Sequence, residues 1–306
     1  YDDYCIESDK EKSVTFFSEM SIKFEQKLNL KKYNAYCIDS VCSKAWFPKN
    51  ELELLTIYDK NPDKKKIIIG NGNNIILSKK YYEEEFIILN DCFNVIQIIE
   101  NGMTAEAGAT LQQLSGTALL NSLSGLEIFY DIPSSVGGAI VMNAGTKDGE
   151  IKDIVIKVRY LDLADMRVKE IAKEKIEFGY RNSFFQKHSN NIILKAWFNL
   201  RKGNQVDILK KMEQCKEKRW FKQPREFPNC GSVFKRPAGR FVGPMLDELG
   251  LKGFTIGGAQ ISKKHSGFII NIGEATGKDI LEVITEVQRR VKERFEIDLE
   301  VEQRII

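Results

Sequence analysis

Ile67 to Leu77 reads Ile-Ile-Ile-Gly-Asn-Gly-Asn-Asn-Ile-Ile-Leu, and Ile132 to Gly145 reads Ile-Pro-Ser-Ser-Val-Gly-Gly-Ala-Ile-Val-Met-Asn-Ala-Gly. In the first stretch Gly70, Asn71, Gly72, Asn73, Asn74 and Ile75 follow an apolar run typical of a strand. Glycines there let the backbone approach a diphosphate and leave N–H groups free to bind it. An ordinary turn has the same composition, and the stretch is neither a P-loop nor G-x-G-x-x-G. In the second stretch Pro133 sets a turn beside Ser134 and Ser135. Gly137 and Gly138 clear side chains from an approach surface, and Asn143 adds an amide before Ala144 and Gly145. Two such stretches about sixty residues apart say far more than either alone.

Working outward, the texture between Asn34 and Leu200 is of short β-rich runs: Ile67 to Ile69, Phe86 to Leu89, Val95 to Ile99, Ile154 to Tyr160 and Ile192 to Phe198. One helix, Thr110 to Asn121, interrupts them. This is an α+β pattern with more strands than a doubly wound sheet needs. Phe16, Phe17, Met20, Phe24 and Leu28 lie near helical spacing and predict an N-terminal helix. Beyond Gly203 helices dominate: Asp207 to Trp220, Gly243 to Leu249 stopped by Gly250, and Thr276 to Phe295. The last opens with a Thr276/Asp279 capping pair and buries a stripe of Ile280, Ile284, Val287 and Val291. With a strand over Ser266 to Ile272 they form a C-terminal α/β domain, and the boundary falls near Arg201 to Asp207.

The 306 residues suffice for two or three units, and the 42% apolar content is enough to bury them. Charged residues make up 29% and nearly cancel to +3, so neither a nucleic-acid footprint nor an acidic tail dominates. No apolar run reaches a membrane span, and the N-terminus lacks a signal pattern, so a cytoplasmic chain is expected. Cys5, Cys37, Cys42, Cys92, Cys215 and Cys230 are scattered beside only two histidines, His188 and His265. This argues for reduced thiols and against a metal site.

A third stretch, Pro228 to Pro237, reads Pro-Asn-Cys-Gly-Ser-Val-Phe-Lys-Arg-Pro. It sets Ser232 on a glycine-tight turn, with Lys222 upstream and Lys235 and Arg236 following. The cluster suits a diphosphate, although small residues after a glycine are more commonly plain turn residues. Glu300 and Glu302 lie two apart near the C-terminus, and on spacing alone either is a functional candidate.

Taken in order, the three stretches resemble the UDP-N-acetylenolpyruvoylglucosamine reductase family, flavoenzymes that complete UDP-N-acetylmuramate for peptidoglycan. The resemblance runs from about Lys66 to the C-terminus. It implies an FAD-binding fold of the vanillyl-alcohol-oxidase type in two subdomains, followed by a C-terminal substrate-binding domain. The division would be 1–33 as an N-terminal helical segment, 34–203 for FAD and 204–306 for substrate. Both glycine stretches would hold FAD, with NADPH as hydride donor and UDP-N-acetylglucosamine enolpyruvate as substrate. Ser232 would be the proton donor. Arg181, in Tyr180-Arg181-Asn182-Ser183, would grip the enolpyruvyl carboxylate, and similarity to the family's C-terminal Glu-x-Arg-x-Ile selects Glu302. Tyr180, Lys222, Lys235 and Arg236 would contact the substrate. His265 reads either as a polar wall of that pocket or as a structural histidine.

The chain departs from the family at Tyr36-Cys37-Ile38-Asp39-Ser40, at Asn73 and Ser134, and at Thr146, Lys147 and Asp148. It is similar to the subset that lacks a tyrosine-bearing loop over the substrate. The expected molecule is a monomeric enzyme with no nucleic-acid or membrane partner. Rival readings are a sugar or alcohol oxidase on the same fold, and a catalytically silent flavin or UDP-sugar binding protein.

Overall fold

The computed structural model describes residues 22–90 and 92–306. Most of the expected N-terminal helix, including Phe16, Phe17 and Met20, lies outside them. Phe24 and Leu28 are not helical. They belong to strand β1 (Phe24–Asn29), which pairs antiparallel with β2 (Val41–Trp46). Residues four apart share a face in a strand as well as in a helix, so the pair could not discriminate.

The first sheet continues with β3 (Lys66–Ile69) and β5 (Tyr81–Ile88) in the order β1-β2-β5-β3, its last two pairings parallel. A parallel pairing needs a crossover. Helix α1 (Glu51–Lys60) helps supply it, with Asn50 Oδ1 accepting from Glu53 N at 2.9 Å and Leu54 and Ile57 fully buried. Between β3 and β5 the first glycine stretch leads into β4 (Ile75–Ile76).

The second sheet has β6 (Ile96–Ile99), β7 (Gly102–Glu106), β11 (Val155–Asp162), β12 (Arg167–Ala172) and β13 (Asn191–Asn199). It is wholly antiparallel, in the order β12-β11-β13-β7-β6. Short ladders join β8 (Leu123–Ser124) to β14 (Arg201–Lys202) and β9 (Gly145–Thr146) to β10 (Gly149–Glu150). Helix α2 (Leu111–Leu120) matches the expected helix, with a Thr110/Gln113 capping box. Three helices lie where only strands and turns were expected: α1, α3 (Val136–Val141) and the one-turn α4 (Phe184–Lys187). Helix α3 carries Gly137 and Gly138, which weaken any helical signal, but Ser135 Oγ caps it by accepting from Gly138 N at 3.2 Å.

The remaining elements are α5 (Gln205–Lys222), α6 (Val242–Glu248), β15 (Thr255–Ile256), β16 (Ala259–Ile261), β17 (Ile269–Asn271), α7 (Gly277–Phe295) and β18 (Arg304–Ile305). Helix α7 has the expected Thr276/Asp279 box and buries Ile280, Val283, Ile284, Val287 and Val291. Helix α5 leans on α2 and on the Glu127–Phe129 turn. Asp131, next to the second glycine stretch, holds α5 and its exit: it accepts from Arg219 Nε and Trp220 Nε1, each at 2.9 Å, and pairs with Arg225. One core lies on the second sheet around Phe129, Val158 and Phe198. In the other, Ile67 and Phe86 of the first sheet pack with Val233, Phe234, Ile280 and Val287 from the C-terminal part. The chain end then runs beside the first glycine stretch, where β18 pairs parallel with β4.

No helix among the described residues is long and apolar enough to cross a membrane, and no cluster of three or more His, Cys, Asp or Glu there is placed to hold a metal. No disulfide links the described cysteines.

Candidate active site

Arg181 sits in a tight turn closed by reciprocal N–H to carbonyl bonds between Gly179 and Asn182, at 3.0 and 3.3 Å. Its φ is +51°, a conformation that residues with side chains seldom adopt. Neighbours enforce it. Fully buried Asn143 donates from Nδ2 to Gly179 O (2.9 Å) and Glu150 Oε2 (3.0 Å), while Ser183 Oγ donates to Val141 O (2.8 Å). The guanidinium is thereby aimed: Nη1 donates to Asn143 O at 3.3 Å, Nη2 to Gly145 O at 3.1 Å, and Nε lies 3.0 Å from Glu302 Oε1. A guanidinium has five N–H groups, so two remain for a ligand.

Ser232 follows Gly231, whose φ of +77° explains the glycine. Its segment is held on both sides: Val233 N donates to Gly267 O at 3.0 Å, Glu302 N to Val233 O at 2.8 Å, and Phe234 pairs with Val301. The two candidate glutamates part company here. Glu300 is exposed and bonded to Lys235 Nζ at 2.5 Å, whereas the Glu302 side chain is 13% exposed and lines a cleft with Ser232 and Arg181. Burial pushes the Glu302 carboxyl above its ordinary pKa, against the opposing pull of Arg181 and Lys235.

The cleft encloses about 420 Å³, and Tyr180, Arg236, Phe241, Lys252, Lys264 and His265 also line it. Arg236 N donates to Tyr180 Oη at 3.4 Å, and its guanidinium lies 4.4 Å from the centre of the Phe241 ring. His265 Nδ1 accepts from Gly267 N at 3.1 Å, and burial lowers its pKa, so the neutral ring keeps its proton on Nε2. Arg181, Arg236, Lys252 and Lys264 outnumber Asp247, which pairs with Lys252 at 3.2 Å, and Glu302, so the cleft carries a net positive charge suited to an anion.

The glycine stretches meet beside it. A Cβ on Gly70 would lie 2.2 Å from Ser135 Oγ, and one on Gly72 (φ +64°) would lie 2.0 Å from Tyr33 O. Among the described residues the backbone amides of Asn71, Gly72, Asn73 and Asn74 donate to no acceptor, and buried Asn71 Oδ1 has no partner. Four free N–H groups in a glycine-rich loop fit a diphosphate, so these residues suit FAD. The cradle packs against the two segments that carry Ser232 and Glu302: Cys230 Sγ bonds Gly72 O (3.6 Å) and Ile75 O (3.4 Å), and Asn74 Nδ2 donates to the backbone carbonyl of Glu302 (3.3 Å).

Residues 223–306 match the model of the UDP-N-acetylenolpyruvoylglucosamine reductase C-terminal domain, and residues 45–172 match an FAD binding domain. The UDP-N-acetylenolpyruvoylglucosamine reductase of Clostridium perfringens is 45% identical over 213 residues, 70% of this chain and 69% of the relative. The chain belongs to this family. The Lactobacillus acidophilus reductase is 46% identical over 220 residues, covering 72% of this chain and 73% of the relative. The crystal structure of the family's Thermus caldophilus reductase superposes with a TM-score of 0.77 at 30% identity, over 94% of this chain and 99% of that one.

Against the family expectation, the structure gathers Tyr180, Arg181, Ser232, Arg236, His265 and Glu302 around one cleft. Lys222 and Lys235 are outside its lining: Lys222 is exposed at the end of α5, and Lys235 is engaged by Glu300. Asn143 has its amide consumed by Gly179, Glu150 and Lys152 N (3.3 Å), and together with Gly145 it orients Arg181. Lys252 and Lys264 line the cleft and were missed. Each had an available signal: Lys264 stands next to His265, and Lys252 is the lysine of Gly250-Leu251-Lys252-Gly253, a tetrapeptide similar to one in the family.

Proposed function

We propose that this chain is the NADPH-dependent flavoenzyme that reduces the enolpyruvyl group of UDP-N-acetylglucosamine enolpyruvate to give UDP-N-acetylmuramate. The observation that carries the site assignment is the Arg181–Glu302 pair facing Ser232 in a cationic cleft that adjoins the free amides of Asn71 to Asn74. FAD, when bound, would supply hydride-transfer chemistry between NADPH and the enolpyruvyl methylene carbon. Gly70 to Ile75 and Pro133 to Gly138 would hold it. The two unengaged N–H groups of Arg181 grip the substrate carboxylate as charge builds there. Glu302 fixes that guanidinium in place, and Ser232 Oγ delivers a proton to the carbon next to the carboxylate. Arg236, Lys252 and Lys264 take the diphosphate, with Tyr180 and His265 as walls.

The division by ligand is 34–203 for FAD and 204–306 for substrate; of 1–33, Phe24–Asn29 joins the first sheet as β1, and the two larger parts share a core across that sheet. A monomeric catalytic unit goes with this reading, and its nucleotide-linked substrates favour the cytoplasm.

The test is to purify the protein with its flavin, bleach it with NADPH under anaerobic conditions, and add the UDP-sugar. Colour should return only on that addition, and Ser232→Ala should slow its return roughly 100- to 10,000-fold while leaving bleaching normal. A sugar oxidase would recolour with oxygen and need no NADPH. A silent binder would not bleach.

A further inference from the structure

Beneath the serine turn lies a buried polar network that none of these roles uses. Gln303 follows Glu302 at a bend just before β18, and its side chain lies in the core, where it is 3% exposed. Its Nε2 donates to Cys230 O at 3.1 Å and lies 3.4 Å from both Gly231 O and Ser232 O. One amide thus faces three consecutive carbonyls of the turn that presents Ser232. Its Oε1 accepts from Tyr36 Oη at 2.9 Å, and Tyr36 is fully buried. The Tyr36 carbonyl in turn accepts from Asn271 Nδ2 at 2.8 Å, and Asn271 Oδ1 accepts from Gly273 N (2.9 Å) and Ala275 N (3.1 Å).

We propose that Gln303 and Tyr36 are positioning residues that hold the Ser232 turn in register with Glu302. Both are buried, and neither lines the cleft. Backbone bonds fix Val233 and Lys235 to the C-terminal strand, but the peptides before Ser232 are reached from that strand only through the Gln303 side chain. Neighbouring residues of the C-terminal run therefore set both groups: Glu302 directly and Ser232 through Gln303. Tyr36 completes the device by fixing which end of the amide faces the carbonyls. Burial pushes its phenol well above the ordinary pKa, so it remains a neutral donor. A reversed amide would set an oxygen against three oxygens.

The inference rests on the proposed reaction, and its test reads the two half-reactions separately in Tyr36→Phe, Gln303→Leu and the double variant. FAD content and reduction by NADPH should stay within about two-fold of wild type, while reoxidation by the UDP-sugar slows roughly ten-fold for Tyr36→Phe and on the order of a hundred-fold for Gln303→Leu. The double variant replaces both partners with apolar groups, so it should melt nearer to wild type than Gln303→Leu does. It should nevertheless reoxidise as slowly. A double variant that regains the wild-type reoxidation rate, or equal slowing of both half-reactions, would show the network to be packing alone and overturn the clamp. Wild-type flavin that the UDP-sugar cannot reoxidise overturns the functional reading itself, and the clamp with it.

Discussion

Arg181 Nε lies 3.0 Å from Glu302 Oε1, joining a strained turn beside one glycine stretch to the C-terminal strand that runs beside the other. In the proposed reaction, charge that develops on a carboxylate held at Arg181 would be felt at Glu302. The two glutamates near the C-terminus should separate accordingly. Glu302→Gln removes the anionic partner and should slow reoxidation by about 100- to 1,000-fold with FAD reduction intact. Glu300→Gln breaks only an exposed pair with Lys235 and should stay near wild type. Stopped-flow flavin absorbance reads both, and the opposite ranking would show that the wrong carboxylate was assigned.

Arg181→Lys keeps the charge but cannot reach Asn143 O, Gly145 O and Glu302 while also presenting two N–H groups. Turnover should fall by at least about a hundred-fold with FAD content unchanged. Loss of flavin in this variant, measured by absorbance ratio, would mean that the arginine serves the cradle and not the substrate.

Glu302 also sets a pH dependence. Its pKa is raised on folding, chiefly by burial, so the folded state binds the proton more tightly than the unfolded state. The linked stability is fully present below the unfolded pKa and is lost as pH rises through the folded one. Melting temperature should show this fall in the wild type, and Glu302→Gln should flatten it. An unchanged slope in the variant would assign the titration to another group.

Lys252 and Lys264 line the cleft, whereas Lys222 does not. Alanine at either of the first two should raise KM for the UDP-sugar roughly ten-fold, with kcat little changed, as expected for one lost charge-assisted contact. Lys222→Ala should have a smaller effect. Steady-state kinetics decides, and a larger loss at Lys222 would place the diphosphate at the end of α5.

At Gly72 a side chain would meet Tyr33 O, at 2.0 Å, in addition to adopting positive φ. Gly239, with φ +71° and no atom within 4 Å of a built Cβ, isolates the conformational part alone. Gly239→Ala should cost about 1–2 kcal/mol. Gly72→Ala should cost more and lower FAD occupancy. Equal melting losses with full flavin in both would refute the close-approach account of this loop.

Local chemistry was legible without coordinates. The capping box and apolar stripe of α7, the helix that begins at Thr110, and the glycine stretches are patterns of near neighbours, so composition and period reveal them. Family resemblance then named Ser232, Arg181 and Glu302. What spacing left open were matters of long-range register. Phe24 and Leu28 fit a helix or a strand equally, and pairing with β2 made them a strand. Glu300 and Glu302 differ by one strand repeat, and the Lys235 contact drew one out while Arg181 drew the other in. Lys222 lies near Ser232 in the chain, yet α5 ends outside the cleft, and Lys252 and Lys264 arrive there on later loops. Asn143, Tyr36 and Gln303 act through buried hydrogen bonds to residues distant in sequence. No local pattern encodes such partners; only closure of the chain brings them within 3 Å or so of each other.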